Sequence, residues 1–202
     1  MSGSAGEQEG GYTIKVAQTT EEVQACYDIR VEVFVVEQGY QLEDEIDEYD
    51  SQSLQFLLTI PTPSPTSTDT SSLLPQLAQS EHSTTAVPVG TVRYTPSIGK
   101  ISRLAVLKSS RGKRYSVGLM RAAEEYVRKH RGRVEDSKKE HVGDDLSAAG
   151  EVESSTKVDR DRLYLHAQIY VVPYYLKLGY GPEGDVFDEC GEPHQKMVKY
   201  LY

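Results

Sequence analysis

The sequence predicts a layered α+β domain: a central mixed, mostly antiparallel sheet with helices on both faces. Three observations predict it. Short apolar or alternating runs recur in the order strand, helix, three strands, helix, strand, helix, strand, which suits one sheet covered on both sides. The apolar run Ile101–Leu107 passes through the basic loop Arg111-Gly-Lys-Arg-Tyr-Ser116 into helical spacing at Val117, Leu119, Met120, Ala123, Tyr126 and Val127. A second strand-to-helix junction joins Leu163–Gln168 to Ile169–Tyr180.

The elements follow in order. Tyr12–Ala17 alternates and reads as a first strand. Thr19-x-x-Glu22 has the capping-box pattern and opens a helix with Val23, Cys26, Ile29 and Val33 toward the core. That helix is expected to run to about Glu37 and stop at Gly39. An acidic loop or short helix occupies 43–50. Leu54–Ile60 and Val87–Tyr94 are the next strands, and a turn near Pro96–Gly99 leads into the strand carrying Leu104. The helix after the basic loop extends to about His130. A fifth strand spans 162–168, a helix 169–178, and two final strands lie near 183–189 and 194–201.

The 202 residues suffice for one domain with a real core. Hydrophobic residues make up only 38% because two polar tracts dilute them. Residues 61–85 are rich in Ser, Thr and Pro, residues 131–160 are charged and small, and both read as flexible insertions in a single domain over 12–202. Residues 1–11 read as a disordered tail. A net charge of −9 argues against a nucleic-acid surface. No run of about eighteen apolar residues could span a membrane. The N-terminus has no signal-peptide pattern, and Cys26 and Cys190 are far apart and need not pair, so a cytoplasmic or nuclear setting is expected. No zinc spacing is present, and a homodimer is compatible with the chain.

The basic loop carries the first chemistry. Backbone N–H groups at a strand-to-helix turn point outward without helical partners, and the helix dipole adds positive potential. Arg111, Lys113 and Arg114 reinforce it, so the loop suits a pyrophosphate. The bland reading is a helix start with solvated basic residues.

Four segments together resemble the GCN5-related N-acetyltransferase (GNAT) superfamily. Arg111–Ser116 is similar to its pyrophosphate loop, usually Arg/Gln-x-x-Gly-x-Gly/Ala. Tyr174-Tyr-Leu-Lys-Leu-Gly-Tyr180 is similar to its Phe-Tyr-x-Lys-x-Gly-Phe ending. Arg30-Val-Glu-Val-Phe-Val-Val-Glu37-Gln38 and Gly191-Glu-Pro-His194-x-x-Met197 resemble the ElaA-like branch. The resemblance covers most of the chain outside the insertions. Arg114 and Ser116 depart from it, standing where the loop usually has Gly, and negative φ values there would let both still offer N–H groups.

The resemblance implies a GNAT fold whose fourth and fifth strands splay apart, and an acetyl-CoA-dependent N-acetyltransferase acting on a primary amine by direct attack. Acetyl-CoA would be held by Arg111, Gly112, Lys113, Arg114, Tyr115 and Ser116, by backbone of Leu104, Ala105 and Val106, and by Gln168, which stands where an Asn often contacts pantetheine. The N–H of Val106 or Ala105 is the expected oxyanion donor. Tyr175 matches the tyrosine that protonates the leaving thiolate, and Tyr174 is expected to pack in the core. The base stays open, because the strand-4 face offers Lys100, Ser102 and Leu104 and no carboxylate: Glu37, Glu43, Glu45, His166 and a water chain are candidates. Arg30, Glu37, Gln38 and His194 are expected at the acceptor site. The run Glu43–Asp50, six acids in eight residues, reads either as a solvated loop or as a collar attracting a cationic amine. It lacks the central Gly and final Glu of an EF-hand. A small polyamine-like amine is the preferred acceptor, with a protein amine or an aminosugar phosphate as alternatives. A catalytically inactive CoA-binding or interaction module is the rival from another class.

Overall fold

A computed structural model describes residues 11–62, 86–130 and 161–202. The expected insertion at 131–160, residues 63–85 of the other and residues 1–10 of the tail lie outside the described residues. Strands β1 (Thr13–Val16), β2 (Leu54–Pro61), β3 (Ala86–Thr95) and β4 (Lys100–Val106) form an antiparallel run. β5 (Arg162–Gln168) follows, then β8 (Glu192–Tyr200), which carries the short β6 (Gly181–Pro182) and β7 (Phe187–Glu189).

The first helix opens as its sequence dictates. Thr19 Oγ1 accepts from the Glu22 N–H at 3.3 Å, and the Thr19 N–H donates to the Glu22 carboxylate at 3.4 Å. Such a cap contributes about 1 kcal/mol. Helix α1 (Thr20–Arg30) places Cys26 and Ile29, with Val33 beyond it, against Leu57 and Ala105 on one face of the sheet. Helix α3 (Tyr115–His130) packs Leu119, Met120, Ala123 and Val127 on the other face, with Phe56, Leu58, Ile101, Leu165 and Met197. Gly118 lets α3 approach β1 closely: a Cβ there would meet the Tyr12 hydroxyl at 2.9 Å. Helix α4 (Val172–Lys177), entered through a 3-10 turn at Ile169–Val171, lies on the same side as α3. Its end is pinned by Lys199, whose ammonium donates to Leu178 O and to buried Glu124, both at 2.7 Å.

Two features of β4 shape the space beside it. Its register to β3 slips between Thr91↔Ala105 and Arg93↔Ser102, so Arg103 and Leu104 share the space opposite Val92, and Arg103 takes φ 54°. Toward β5 it pairs in parallel only at Lys100↔Tyr164. Beyond that point the strands diverge and leave the Leu104–Val106 edge unpaired by strand.

Several boundaries differ from the expectations. The first helix widens into a π-helix over Val31–Glu37 instead of continuing as α-helix, in a valine-rich run with weak helix propensity. The acidic stretch holds a short helix α2 (Leu42–Glu45) and a 3-10 turn at Asp50–Gln52. Pro61 belongs to β2, paired with Ala86, so the insertion opens after it. The strand expected over 183–189 keeps only Phe187–Glu189, because Gly184 at φ 73° turns the chain, and β6 was not foreseen.

Candidate active site

The splay between β4 and β5 opens into a cavity of about 710 Å3, walled by the π-helical turn, α2, β4, the basic loop, β5, α4 and the β7–β8 hairpin.

The loop forms one end. Gly112 at φ 80° and Arg114 at φ 61° are both left-handed, following Arg111 in an extended conformation. Helical bonding begins with Val117 and Gly118 donating to Arg114 O. Among the described residues, the N–H groups of Gly112 through Ser116 have no acceptor. The expected negative φ fails at Arg114, which occupies the left-handed conformation that glycine adopts most readily. Lys113 does not line the cavity, and its ammonium lies 6.0 Å from the centroid of the Tyr115 ring. Arg111 is engaged: Nε donates to Val106 O at 2.9 Å, and its other nitrogens bind both Glu37 oxygens at 2.6 and 2.7 Å.

The strand edge forms the middle. The Leu107 N–H donates to Val89 O on β3, while Val106 O accepts from Arg111. A strand alternates the edge it presents, so the main chain of Val106 faces the gap and that of Ala105 faces β3. Of the two candidate oxyanion donors, it is Val106 whose main chain faces the gap. Tyr175 lies across the gap on α4, ringed by Tyr174 and Tyr180. Burial pushes its phenol above the ordinary tyrosine range, so it stays protonated. Tyr174, expected in the core, lines the cavity near Ser116 with its hydroxyl buried and unpartnered among the described residues. Gln168 spans to the hydroxyls of Tyr40 and Tyr170.

The far end is ionic, and here two expectations change. Arg30 is wholly buried, its guanidinium donating to Glu45 and to Asp50 at 2.6 Å. It supports the site from beneath and cannot touch an acceptor. Glu45 has both oxygens committed, Oε1 to Arg30 and Oε2 to Arg103 at 3.1 Å, so it is no free base. Burial pushes its carboxyl up, against the pull of the two arginines. Asp47 pairs with Arg93 at 2.7 Å and Arg103 at 3.2 Å, and Asp50 with Arg30 and Arg93. Half of the acidic collar is thus consumed by buried arginines, and Asp44 is the acid of that run that lines the cavity beside Glu45.

His166 of β5 joins a cluster. Its Nδ1 lies 2.9 Å from Glu189 Oε2 and 3.3 Å from Lys100 Nζ. The Glu189 carboxyl is held down to about 2, first by that imidazole contact. Burial lowers the Lys100 ammonium. His194 and Gln38 line the same cavity, His194 with Nδ1 2.9 Å from Glu192 O. Sequence reasoning missed Glu189, Tyr40, Arg103 and Tyr170 here. Only tertiary placement signals them, except that Glu189 sits five residues before His194 in the flagged Gly191–Met197 neighbourhood. Among the described residues, no cluster of His, Cys, Asp or Glu is set to hold a metal ion. No described helix is long and apolar enough to cross a membrane.

No family model matches the chain. The chain is 26% identical over 185 residues to the uncharacterized N-acetyltransferase YjcF of Bacillus subtilis, covering 91% of this chain and 96% of that one. Its fold is similar to that of an acyl-CoA N-acyltransferase from Pseudomonas aeruginosa, with TM-score 0.57, 21% identity and coverage of 93% and 97% of the two chains. Escherichia coli ElaA is similar to the same degree, with TM-score 0.57, 19% identity and the same coverage. The splayed β4–β5 pair, the open amide loop between them and α3, and these likenesses agree: the chain has the fold of acyl-CoA N-acyltransferases such as ElaA and is similar in sequence to an N-acetyltransferase.

Proposed function

We propose that the protein is an acyl-CoA-dependent N-acyltransferase that moves an acetyl group to a primary amine by direct attack. The observation that carries this reading is one cavity holding an open run of amides at Gly112–Ser116, an unpaired strand edge at Val106 and a protonated tyrosine at position 175.

Each part has a role the geometry suits. The amide run and the α3 N-terminus take the pyrophosphate. The pantetheine arm lies along Leu104–Val106 as a pseudo-strand in the splay. The Val106 N–H donates to the oxyanion as the amine adds, a contribution of about 3–4 kcal/mol for one well-placed donor. When the C–S bond breaks, Tyr175 gives its proton to the thiolate. The amine enters from the side of Lys100, Arg103, His166 and Glu189. Because Glu45, Asp47 and Asp50 are neutralised by arginines, the acidic run no longer favours a polycation over other primary amines.

Calorimetric titration with acetyl-CoA, followed by thiol release over a panel of amines, tests this. Tyr175→Phe is expected to cut kcat at least tenfold with acetyl-CoA affinity within twofold of wild type, while Tyr174→Phe keeps turnover. Full turnover in Tyr175→Phe would remove it as the acid. A wild-type chain that fails to bind acetyl-CoA would defeat the reading altogether and favour an interaction module.

A further inference from the structure

We propose that Glu189 is a positioning residue: its carboxylate holds His166 in the tautomer protonated at Nδ1, leaving Nε2 as the proton acceptor for an amine in the cavity. The role in turnover rests on the acyltransferase reading; the tautomer does not.

The distances decide the hydrogen. An ionised carboxylate can only accept, so Nδ1 at 2.9 Å from Glu189 Oε2 must carry a proton. A bare Nδ1 would set lone pair against lone pair. Lys100 Nζ is 3.3 Å from the same nitrogen, yet an ammonium has donors only. With Nδ1–H committed, Lys100 serves the carboxylate instead, 3.7 Å from Oε1. A neutral imidazole protonated at Nδ1 has its lone pair on Nε2.

The surroundings keep this arrangement. Phe187 packs edge-on against the imidazole at 4.8 Å between centroids and limits its rotation. The hairpin after Glu189 turns through Cys190 at φ 55° and Gly191 at φ 79°, which fixes the carboxylate on β7. The charged and titratable groups facing His166 are Lys100 from β4, Glu189 from β7, Tyr164 beside it on β5, and His194 and Lys196 from β8. Lys196, opposite His166 in register, is drawn to Glu183 at 2.8 Å. His166 and Glu189 keep 23% and 37% of their side chains exposed on the cavity wall, unlike the sealed Arg30–Asp50 pair, so the dyad can meet a substrate.

The proton balance closes. The acceptor ammonium gives one proton to Nε2, its freed lone pair forms the N–C bond, and the departing thiolate takes the Tyr175 proton. The adduct nitrogen, still carrying one proton too many, gives it to the tyrosinate and restores Tyr175, and His166 returns its proton to solvent, so each amide formed releases one thiol and one proton.

The test is nitrogen-15 NMR of the full chain with labelled histidine, His166 assigned by its loss in His166→Asn. Neutral His166 is expected to carry its proton on Nδ1. Glu189→Ala should move the proton wholly or partly to Nε2, and Glu189→Gln, whose amide oxygen still accepts, should restore it. A proton on Nε2 in wild type, or no change in Glu189→Ala, overturns the dyad. With an amine that wild type acetylates, Glu189→Ala should lower kcat at least tenfold with KM for acetyl-CoA within twofold. An unchanged kcat overturns the role in turnover. Wild type that acetylates no amine, with the tautomer as expected, defeats the acyltransferase reading and the base role together, while the dyad stands.

Discussion

Arg111 shows how a residue can be named from sequence while its situation cannot. Its place at the head of the loop was legible from the basic run and the strand before it. Its partner, Glu37, lies 74 positions away on the π-helical turn. The guanidinium holds the Glu37 carboxyl below its ordinary range, and that pair occupies the cation a pyrophosphate would use. Both side chains are partly exposed, so the competition is modest. Glu37→Gln is expected to tighten acetyl-CoA binding by about threefold in calorimetry, within the range of exposed ion pairs. Weaker binding would instead make the pair a support that holds the loop in place. His166 gives a related lesson. A lone histidine on an alternating strand is read more readily as a satisfied structural residue, and the Glu189 carboxylate that gives it direction arrives from a hairpin across β8.

At the scale of elements, the loop after β4 turns on backbone conformation. The family-like pattern has a glycine where this chain has Arg114, and the left-handed φ of 61° shows that the turn keeps the glycine conformation. An L-residue there costs about 1–2 kcal/mol. Arg114→Gly should therefore be more stable than Arg114→Ala by about 1 kcal/mol in urea unfolding. Equal stabilities would mean that the turn relaxes without strain. The capping box at Thr19–Glu22, the alternation at Tyr12–Ala17 and the apolar stripe of α3 were all legible, because each is a short-range pattern. The π-helical turn and the tiny β6 were not. Nothing in the valine run specifies a wider turn, and β6 exists only because β8 lies beside it.

At the scale of the whole molecule, the acidic run 43–50 changes character. In sequence it looks solvated or poised to attract a cation. In the fold Glu45, Asp47 and Asp50 turn inward onto Arg30, Arg93 and Arg103 and join α1, α2, β3 and β4 beneath the acceptor side. The Asp50 carboxyl is pulled down to about 2, the arginine bonds outweighing burial. A folded-state value below the unfolded one contributes stability that is fully present above about pH 4 and is lost as pH falls toward 2. Asp50→Asn should lose about 1–2 kcal/mol at pH 7 and show a flatter decline below pH 4 in denaturant titrations. A decline as steep as in wild type would place the acid sensitivity elsewhere.

Local pattern was enough to establish the order of the elements, the caps, the core stripes, the basic loop and the resemblance to acyl-CoA N-acyltransferases, since these rest on neighbours within a turn or a strand. Long-range packing settled which charges are spent and which remain. It turned three acids of the run onto arginines from three other elements, faced the Val106 main chain to the gap through the phase of β4, and set Glu189 against His166. Those outcomes depend on distances between residues far apart in the chain, and ionic and hydrogen-bonding energies fall off too steeply with distance for composition or spacing to reveal them.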